Sequence, residues 1–258
     1  MIRKELIYFC TAIMFFTRIP IPFKLPYSSE IMNQAQKYYP LVGWIVGGLT
    51  AAVFYCAHLV FSIEISIVLS MIFSVLLTGA FHEDGFTDVC DSFGGGYGKN
   101  KILEIMKDSR IGAYGVLGII LLLLLKFLSL NELGTYTIPL LIAAIINGHT
   151  TSRFHSALMI YTHKYVRDTD ESKSKPMAQK SLSISSLIIP FIFTLLPYIL
   201  FKEWIFLIAL PISYLGKVYL AFYFKKHIGG YTGDCLGTIQ QVCEVLFYLI
   251  ILIIWKFM

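Results

Sequence analysis

Three aspartates recur at helical spacing in the segment from His82 to Gly96. On a helix, Asp84, Asp88 and Asp91 occupy positions i, i+4 and i+7, which places their carboxylates within an arc of roughly 60°. Like charges at that spacing repel one another, so a cation is needed to offset the repulsion. Magnesium suits the arrangement because it prefers hard oxygen ligands and commonly links one or two carboxylates to substrate phosphates. The spacing therefore predicts a magnesium site, with a solvated acidic loop as the alternative interpretation.

Two cations, Lys107 and Arg110, follow a glycine-rich stretch and precede the next apolar segment. Their position suits them to neutralise a diphosphate and its leaving group. It suits them equally to the belt of basic residues found at the cytoplasmic ends of membrane spans. The sequence leaves both interpretations open.

An apolar segment near the middle of the chain is interrupted by polar side chains, among them His149 and Arg153, one helical turn apart. Ionisable residues inside a membrane segment are costly, and a functional role is the first hypothesis for them. Arg153 is therefore a candidate for a functional role, whereas His149 is equally well explained as a hydrogen-bonded packing residue.

A polar stripe runs along the last apolar segment of the chain. On a helix, Asp234, Gln241 and Glu244 lie within an arc of roughly 80°. Glu244 would lie inside the bilayer and needs a partner there, for which the sequence offers Lys217, Arg153 or a metal ion. Asp234 has a second interpretation as the N-cap of this helix.

The elements that must position these residues are membrane-spanning helices. Of the 258 residues, 57% are hydrophobic and 14% are charged, whereas soluble domains are about 25% charged. Several apolar runs approach the length of about 20 residues that a helix needs to cross the hydrocarbon core. We therefore predict an all-α, polytopic helical bundle in a lipid bilayer, with a single domain over residues 1–258 and about seven transmembrane helices.

The seven predicted spans are 41–61, 65–81, 111–130, 138–160, 184–201, 204–224 and 235–255. The apolar stretch from Leu6 to Phe16 is too short to span comfortably, and no small-residue cleavage site follows it. This stretch is predicted to be an N-terminal interfacial or re-entrant helix.

Basic residues indicate how the bundle is oriented. Sixteen of the 21 Lys and Arg residues fall in the N-terminal segment and in the loops 83–110, 161–183 and 225–234. Because basic loops remain on the cytoplasmic side, the N-terminus and the aspartates are predicted to face the cytoplasm, in a multi-pass protein of the cell membrane. The net charge of +5 is thus a topology signal, and we predict no nucleic-acid partner.

Four ordered motifs resemble those of the adenosylcobinamide-GDP ribazoletransferase family, also called cobalamin (5′-phosphate) synthases. The motifs are Phe16-Thr17-Arg18-Ile19-Pro20, His82 to Asp91, Met106 to Val116, and Gly229 to Asp234 followed by Gln240, Gln241 and Glu244. The resemblance covers most of the chain. The acidic motif departs from the family pattern at Phe86, Thr87 and Ser92, and none of these departures removes a carboxylate.

The resemblance implies a magnesium-dependent transferase at a late step of cobalamin biosynthesis. The enzyme would join adenosylcobinamide-GDP to α-ribazole or α-ribazole 5′-phosphate, giving adenosylcobalamin or its 5′-phosphate and releasing GMP. Such a reaction is an in-line phosphoryl transfer, in which positioning and charge neutralisation supply most of the catalysis.

Site residues are assigned on the same basis. The predicted metal ligands are Glu83, Asp84, Asp88, Asp91 and Asp234, although Glu83 points roughly 100° away from Asp84 on a helix. The predicted catalytic residues are Asp91 as general base, Asp88, and the pair Lys107 and Arg110, which would bind the departing phosphate. The predicted substrate-binding residues are Arg18, Lys107, Asp108, Ser109, Arg110, Arg153, Gly230, Thr232, Gln240, Gln241 and Glu244.

Two rival functions come from other classes of membrane protein. A CDP-alcohol phosphotransferase also uses an aspartate-rich helix at a membrane face, but its Asp-Gly-x-x-Ala-Arg spacing is not found around Gly85. A cation transporter would carry its acidic residues near the membrane midplane, whereas most of them here are predicted to lie at one face. The sequence is also compatible with a homo-oligomer.

Overall fold

The computed structural model describes residues 2–167, 184–201 and 206–257. Its helices are α1 (Ile2–Phe16), α2 (Ser29–Ala35), α3 (Tyr39–His58), α4 (Ile63–Thr78), α5 (Phe81–Gly95), α6 (Lys99–Ile105), α7 (Ala113–Tyr136), α8 (Ile138–Thr162), α9 (Ile188–Phe201), α10 (Phe206–Ile228) and α11 (Gly233–Lys256), with 3-10 turns at Gln36–Tyr38 and Ile184–Leu187. The described residues form no β-sheet, and two segments meet in an isolated bridge between Tyr165 and Tyr231. The predicted all-α class is confirmed.

Helix α8 lies at the centre of the bundle. It packs most extensively against α3 and α11, and its side chains from Asn147 to Ala157 are buried. Thr137 begins the helix by accepting a hydrogen bond from the Leu140 N–H at 3.2 Å, and such a cap stabilises a helix start. A helix with this many polar side chains is stable inside the bundle because neighbouring helices, and not lipid, surround its polar groups.

Four described helical segments are long and apolar enough to cross a membrane, namely Ser29–His58, α7, α10 and α11. The pair α4 and α5 makes a fifth candidate if it is counted as one broken span. These segments agree with the predicted polytopic membrane architecture. Helix α8 and the shorter α9 occupy the predicted spans 138–160 and 184–201, and the total of seven spans stays a prediction.

Two predicted segments fall partly outside the described residues. These are the cytoplasmic loop 161–183, described only to residue 167, and the span 204–224, described from residue 206. The N-terminal stretch forms α1, which packs against α2 and α3. Its interfacial or re-entrant placement stays a prediction.

The chain turns sharply between α4 and α5, which are bent by 89° relative to each other. The turn arises because Gly79 and Ala80 adopt left-handed backbone angles, with φ of +67° and +57°. Glycine tolerates this conformation, whereas it costs an alanine about 1–2 kcal/mol. The preceding span was predicted to run to Phe81, but α4 ends at Thr78. The acidic segment is therefore a separate helix.

Candidate active site

The aspartates of α5 share one face of that helix, as predicted, because α5 is unbroken from Phe81 to Gly95. Asp84 is exposed, and Asp88 and Asp91 are half-buried. Within the described part of the chain, the carboxylates of Asp84 and Asp88 accept no hydrogen bond and form no ion pair. Both are therefore available to a ligand.

Helix α11 brings a fourth carboxylate to this face. A Cβ atom at Gly85 on α5 would stand 2.9 Å from the Cα atom of Asp234 on α11. One turn further along α11, a Cβ atom at Gly237 would stand 3.0 Å from the His82 carbonyl oxygen. Small residues at both positions let the two helices cross closely. Asp234 consequently lies within electrostatic range of Asp88.

Asp91 holds the start of α7. Its Oδ2 accepts a hydrogen bond from the Gly112 N–H at 2.7 Å, and its Oδ1 accepts one from the Gly115 N–H at 2.8 Å. The first N–H groups of a helix lack helical partners, and the helix dipole favours an anion at that end. The structure thus gives Asp91 a capping role, while its predicted role as general base stays a prediction.

The loop between α6 and α7 carries four of the predicted substrate-binding residues. Arg110 donates from Nε and Nη2 to the carboxylate of Asp108 at 3.0 and 2.6 Å, and this pairing lowers the pKa of Asp108 to about 2. The Arg110 side chain is 88% exposed, and Lys107 and Ser109 are exposed as well. Among the described contacts, neither Lys107 nor Arg110 pairs with a carboxylate of the α5 face.

The glycine-rich motif before α11 shapes the start of that helix. Thr232 is the N-cap, with Oγ1 accepting a hydrogen bond from the Cys235 N–H at 3.4 Å. Asp234 lies in the first turn, so its interpretation as the N-cap is wrong. Gly230 is buried against the Lys164 carbonyl group, where any side chain would overlap. The contact of Thr232 and Gly230 with substrate stays a prediction.

Arg167 also lies at this site, although it is not among the predicted site residues. Its Nη2 atom lies 3.0 Å from Asp234 Oδ2 and donates a hydrogen bond to the Met106 carbonyl oxygen at 2.9 Å. The sequence carries no signal for this residue, because it is one of several basic residues in the same loop. Its placement depends on the backbone bridge between Tyr165 and Tyr231.

Arg18 lies at the break between α4 and α5. Its backbone N–H donates a hydrogen bond to the Leu77 carbonyl oxygen at 2.8 Å. Its guanidinium covers Gly79, where a side chain would overlap it. Arg18 is exposed near the start of the acidic helix, and it stays a candidate for binding substrate.

The remaining predicted residues belong to a buried network, made of Glu83, Lys126, His149, Ser152, Arg153, Gln240, Gln241, Glu244 and Tyr248. Glu83 Oε1 accepts a hydrogen bond from Gln241 Nε2 at 2.9 Å, and Gln241 Nε2 also donates to Gln240 Oε1 at 2.9 Å. Glu83 therefore points into the bundle, and the structure does not bring it to the aspartate face. The network braces α5 against α11.

Glu244 finds its partners on α7, α8 and α11. Lys126 Nζ lies 2.6 Å from Glu244 Oε1, and the Tyr248 hydroxyl donates to the same oxygen at 2.9 Å. His149 Nδ1 lies 3.4 Å from Oε2, and Gln240 Nε2 donates to Oε2 at 2.6 Å. A carboxylate this deeply buried is stable only when its lone pairs are satisfied in this way.

Neither cation predicted for Glu244 forms an ion pair with it among the described residues, although Arg153 lies within electrostatic range of Glu244. Lys217 donates to Thr162 Oγ1 at 3.2 Å, and Arg153 donates to a backbone carbonyl one turn earlier in α8. One signal could have identified the true partner, because Lys126 and Glu244 each lie near the middle of a 24-residue helix. Two such residues would lie at the same depth in a bilayer.

Magnesium fits the donor chemistry of the α5 face. Within the described ranges, no group of three or more His, Cys, Asp or Glu side chains is arranged to hold a metal ion by itself. Asp84, Asp88 and Asp234 nevertheless present hard oxygen donors. Magnesium commonly binds one or two carboxylates and takes water or substrate phosphates as its other ligands. The face therefore suits a metal shared with the substrate.

Comparison with known proteins agrees with the motifs. Relatives named adenosylcobinamide-GDP ribazoletransferase, from Shewanella amazonensis and Vibrio cholerae, are each 44% identical to this chain. The first aligns over 98% of both chains, and the second over 97% of this chain and 95% of the relative. No solved structure matches the chain. A family model described as cobalamin-5-phosphate synthase matches residues 8–252, so the chain belongs to the cobalamin-5-phosphate synthase family.

Proposed function

We propose that this enzyme joins adenosylcobinamide-GDP to α-ribazole or its 5′-phosphate in a magnesium-dependent reaction. The products are adenosylcobalamin or its 5′-phosphate, and GMP. The observation that carries the proposal is the close crossing of α5 and α11, which gathers Asp84, Asp88 and Asp234 at one face. The names of relatives that match almost the whole chain support the choice of substrates.

Asp84, Asp88 and Asp234 are the residues that would hold magnesium. When bound, the metal neutralises charge on a diphosphate and on its leaving group. Asp88 is half-buried and has no partner among the described residues. We therefore assign the acceptance of the proton from the attacking ribose hydroxyl to Asp88, through the carboxylate oxygen that a metal would leave free. Asp91 is less suited to this role because both of its oxygens accept backbone hydrogen bonds. The new oxygen–phosphorus bond forms as the diphosphate bridge breaks and GMP leaves.

The predicted cations act from a loop that is fixed at one end. Asp91 holds Gly112 and Gly115, and therefore restrains the end of the loop that carries Lys107 and Arg110. We assign these two cations to the departing GMP phosphate, which a guanidinium can bind through two hydrogen bonds. Both side chains are exposed and accessible to such a ligand.

The site is proposed to face the cytoplasm, with the protein in the cell membrane. The support is the excess of Lys and Arg in the same set of loops, since basic loops remain on that side. A cytoplasmic site would give water-soluble substrates direct access to the aspartates.

The direct test is to supply purified protein in detergent with adenosylcobinamide-GDP and α-ribazole, or α-ribazole 5′-phosphate. We expect release of GMP together with a cobalamin product, in a reaction that EDTA stops and added Mg²⁺ restores. The two α-ribazole forms, compared at equal concentration, would identify the preferred acceptor.

Two outcomes would overturn the proposal. One is the absence of GMP with every acceptor from protein that elutes as a single folded species. The other is transfer from a CDP-alcohol in place of adenosylcobinamide-GDP, which would favour the rival phosphotransferase function. Full activity in EDTA would overturn the magnesium requirement alone.

A further inference from the structure

Arg167 lies between two parts of the proposed active site. It follows α8 in the chain, and its Nη2 atom contacts both Asp234 Oδ2 and the Met106 carbonyl oxygen. Met106 immediately precedes the loop that carries Lys107 and Arg110. Arg167 therefore stands between the carboxylate face and the predicted phosphate-binding loop.

Backbone hydrogen bonds join the two chain segments that lead into this contact, one just before Arg167 and one just before Asp234. The Val166 N–H donates to the Tyr231 carbonyl at 3.0 Å, and the Tyr231 N–H donates to the Lys164 carbonyl at 3.0 Å. Gly230 permits this approach, because a side chain there would overlap the Lys164 carbonyl. The position of Arg167 is thus set by main-chain pairing as well as by its ion pair.

The charge balance of the site depends on this residue. Of the cations that the structure describes, Arg167 acts most strongly on both Asp88 and Asp234. Lys107 and Arg110 make no ion pair with either carboxylate in the described part of the chain. A site with four carboxylates and one close cation remains negative, so it attracts a divalent cation.

The hydrogen bonds of Arg167 are incomplete. A guanidinium has five N–H donors in a planar fork, yet one nitrogen serves both contacts described above, and the Nε atom is buried without an acceptor among the described residues. The side chain is 14% exposed. Phosphate oxygens match the fork of a guanidinium and can accept two of its bonds together.

We propose that Arg167 is a substrate-binding residue that binds the diphosphate of the nucleotide substrate. In the free protein it neutralises Asp234. When substrate enters, the Arg167 guanidinium binds phosphate oxygens instead, which leaves the Asp234 carboxylate free, so that it could help to hold a metal ion. The identity of the substrate rests on the function proposed above, whereas the role of Arg167 rests on its own contacts. The competing explanation is that Arg167 only ties the end of α8 to α11.

The test is a double-mutant cycle with the variants Arg167→Gln, Asp234→Asn and the combined variant. Binding of adenosylcobinamide-GDP would be measured by equilibrium dialysis in EDTA, following the corrinoid absorbance, without the second substrate. We expect Arg167→Gln to weaken binding by about 10- to 100-fold, because a hydrogen-bonded charge is lost. The weakening should persist in the Asp234→Asn background.

Two further variants keep the test independent of folding. Arg167→Lys retains the positive charge but not the planar fork of N–H donors. Its affinity for adenosylcobinamide-GDP should therefore lie between the affinities of the wild type and of Arg167→Gln. The matched control is Lys101→Gln, which alters an exposed ion pair with Glu104 on α6 and should bind like wild type.

Wild-type affinity in Arg167→Gln, or disappearance of its effect when Asp234 is already Asn, would overturn the inference and leave Arg167 as a structural tie. Failure of the proposed function is a separate result, because wild-type protein would then release no GMP in the activity assay, whatever the binding data show.

Discussion

The acidic residues of this protein occupy two contrasting environments. Glu244, in the buried network, contacts Lys126, Gln240 and Tyr248 at 2.6–2.9 Å. Asp88, on the α5 face, has no hydrogen bond or ion pair with any residue that the structure describes. Both environments are built on α11, which carries Glu244 near its middle and Asp234 in its first turn.

This contrast separates carboxylates that hold the fold from those that can act on a ligand. A buried carboxylate must have its lone pairs satisfied by the protein, because no water or lipid group replaces them. A carboxylate that solvent can reach can leave its lone pairs to water until a cation or substrate binds. The number of protein partners therefore predicts whether a substitution changes stability or activity.

The two environments are also connected. Glu83, on the inner side of α5, accepts a hydrogen bond from Gln241 on α11, while Gly85 of α5 touches Asp234 on the same partner helix. The network thus sets the position of the helix that carries the outward aspartates. A change that destabilises the network can therefore also lower activity. In contrast, changes at Asp84 and Asp88, which have no partner among the described residues, should not lower stability.

The largest expected effect follows removal of a charge from the buried network. Lys126→Met leaves Glu244 buried without its closest cation, and breaking a buried ion pair costs roughly 3–5 kcal/mol of the free energy of unfolding. Thermal unfolding in detergent should show a clearly lowered melting temperature. Lys101→Met, at an exposed pair, is the matched control and should melt like wild type. An unchanged melting temperature in Lys126→Met would contradict the comparison.

The next largest effect is expected for Asp88→Asn, and it concerns activity alone. Losing one charge-stabilising group at a reaction centre costs roughly 100- to 1000-fold in rate. The melting temperature should stay the same or rise, because repulsion from neighbouring carboxylates falls. GMP release and thermal unfolding would be measured on the same preparation. Glu104→Gln, an exposed carboxylate on α6, serves as the control for loss of charge.

Asp91→Asn distinguishes the two roles considered for this residue. Asp91 caps the helix through both carboxylate oxygens, whereas Asn has one acceptor oxygen. One of the two hydrogen bonds is therefore lost and the other loses its charge, which should lower the free energy of unfolding by about 1 kcal/mol. GMP release should then fall less than in Asp88→Asn. The reverse pattern, with unchanged melting and an activity loss as large as that of Asp88→Asn, would identify Asp91 as the general base.

The smallest expected effect is at the exposed pair of Asp108 and Arg110. The hydrogen bond from Arg110 lowers the pKa of Asp108 to about 2. Any stabilisation from the pair is therefore present when the pH is above the pKa of Asp108 in the unfolded chain, about 4. It is lost only as the pH falls towards the pKa of Asp108 in the folded protein. Between pH 5 and 8 we expect Asp108→Asn to melt like wild type, since exposed pairs contribute little. A clear drop in melting temperature would show that this loop supports the fold.

Several features of the site were predictable from local pattern. The spacing of Asp84, Asp88 and Asp91 predicted one acidic helix face, and α5 confirms it. The break between α4 and α5 was not predictable, because a Gly-Ala pair inside an apolar run is equally compatible with a continuous span. The left-handed angles of Gly79 and Ala80 depend on how the two helices pack afterwards.

The partners of the charged residues were the least predictable feature. Lys126 and Glu244 are 118 positions apart in the chain, and several intramembrane cations were available to Glu244. In the sequence, Arg167 is indistinguishable from other basic loop residues. Its placement depends on the pairing of the preceding backbone, at Lys164 and Val166, with Tyr231. Such contacts depend on which helices are neighbours, and hydrophobic periodicity carries no information on that point.

Composition and apolar run length were enough to predict a helical membrane protein, because helix formation and membrane insertion respond to local sequence. The enzyme family was predicted from the resemblance of four motifs, and comparison with known proteins confirms it. Tertiary packing decided which carboxylates face a ligand and which are enclosed. The physical reason is that a carboxylate's availability depends on neighbours supplied by distant segments, here α7, α8 and the bridge beside Arg167.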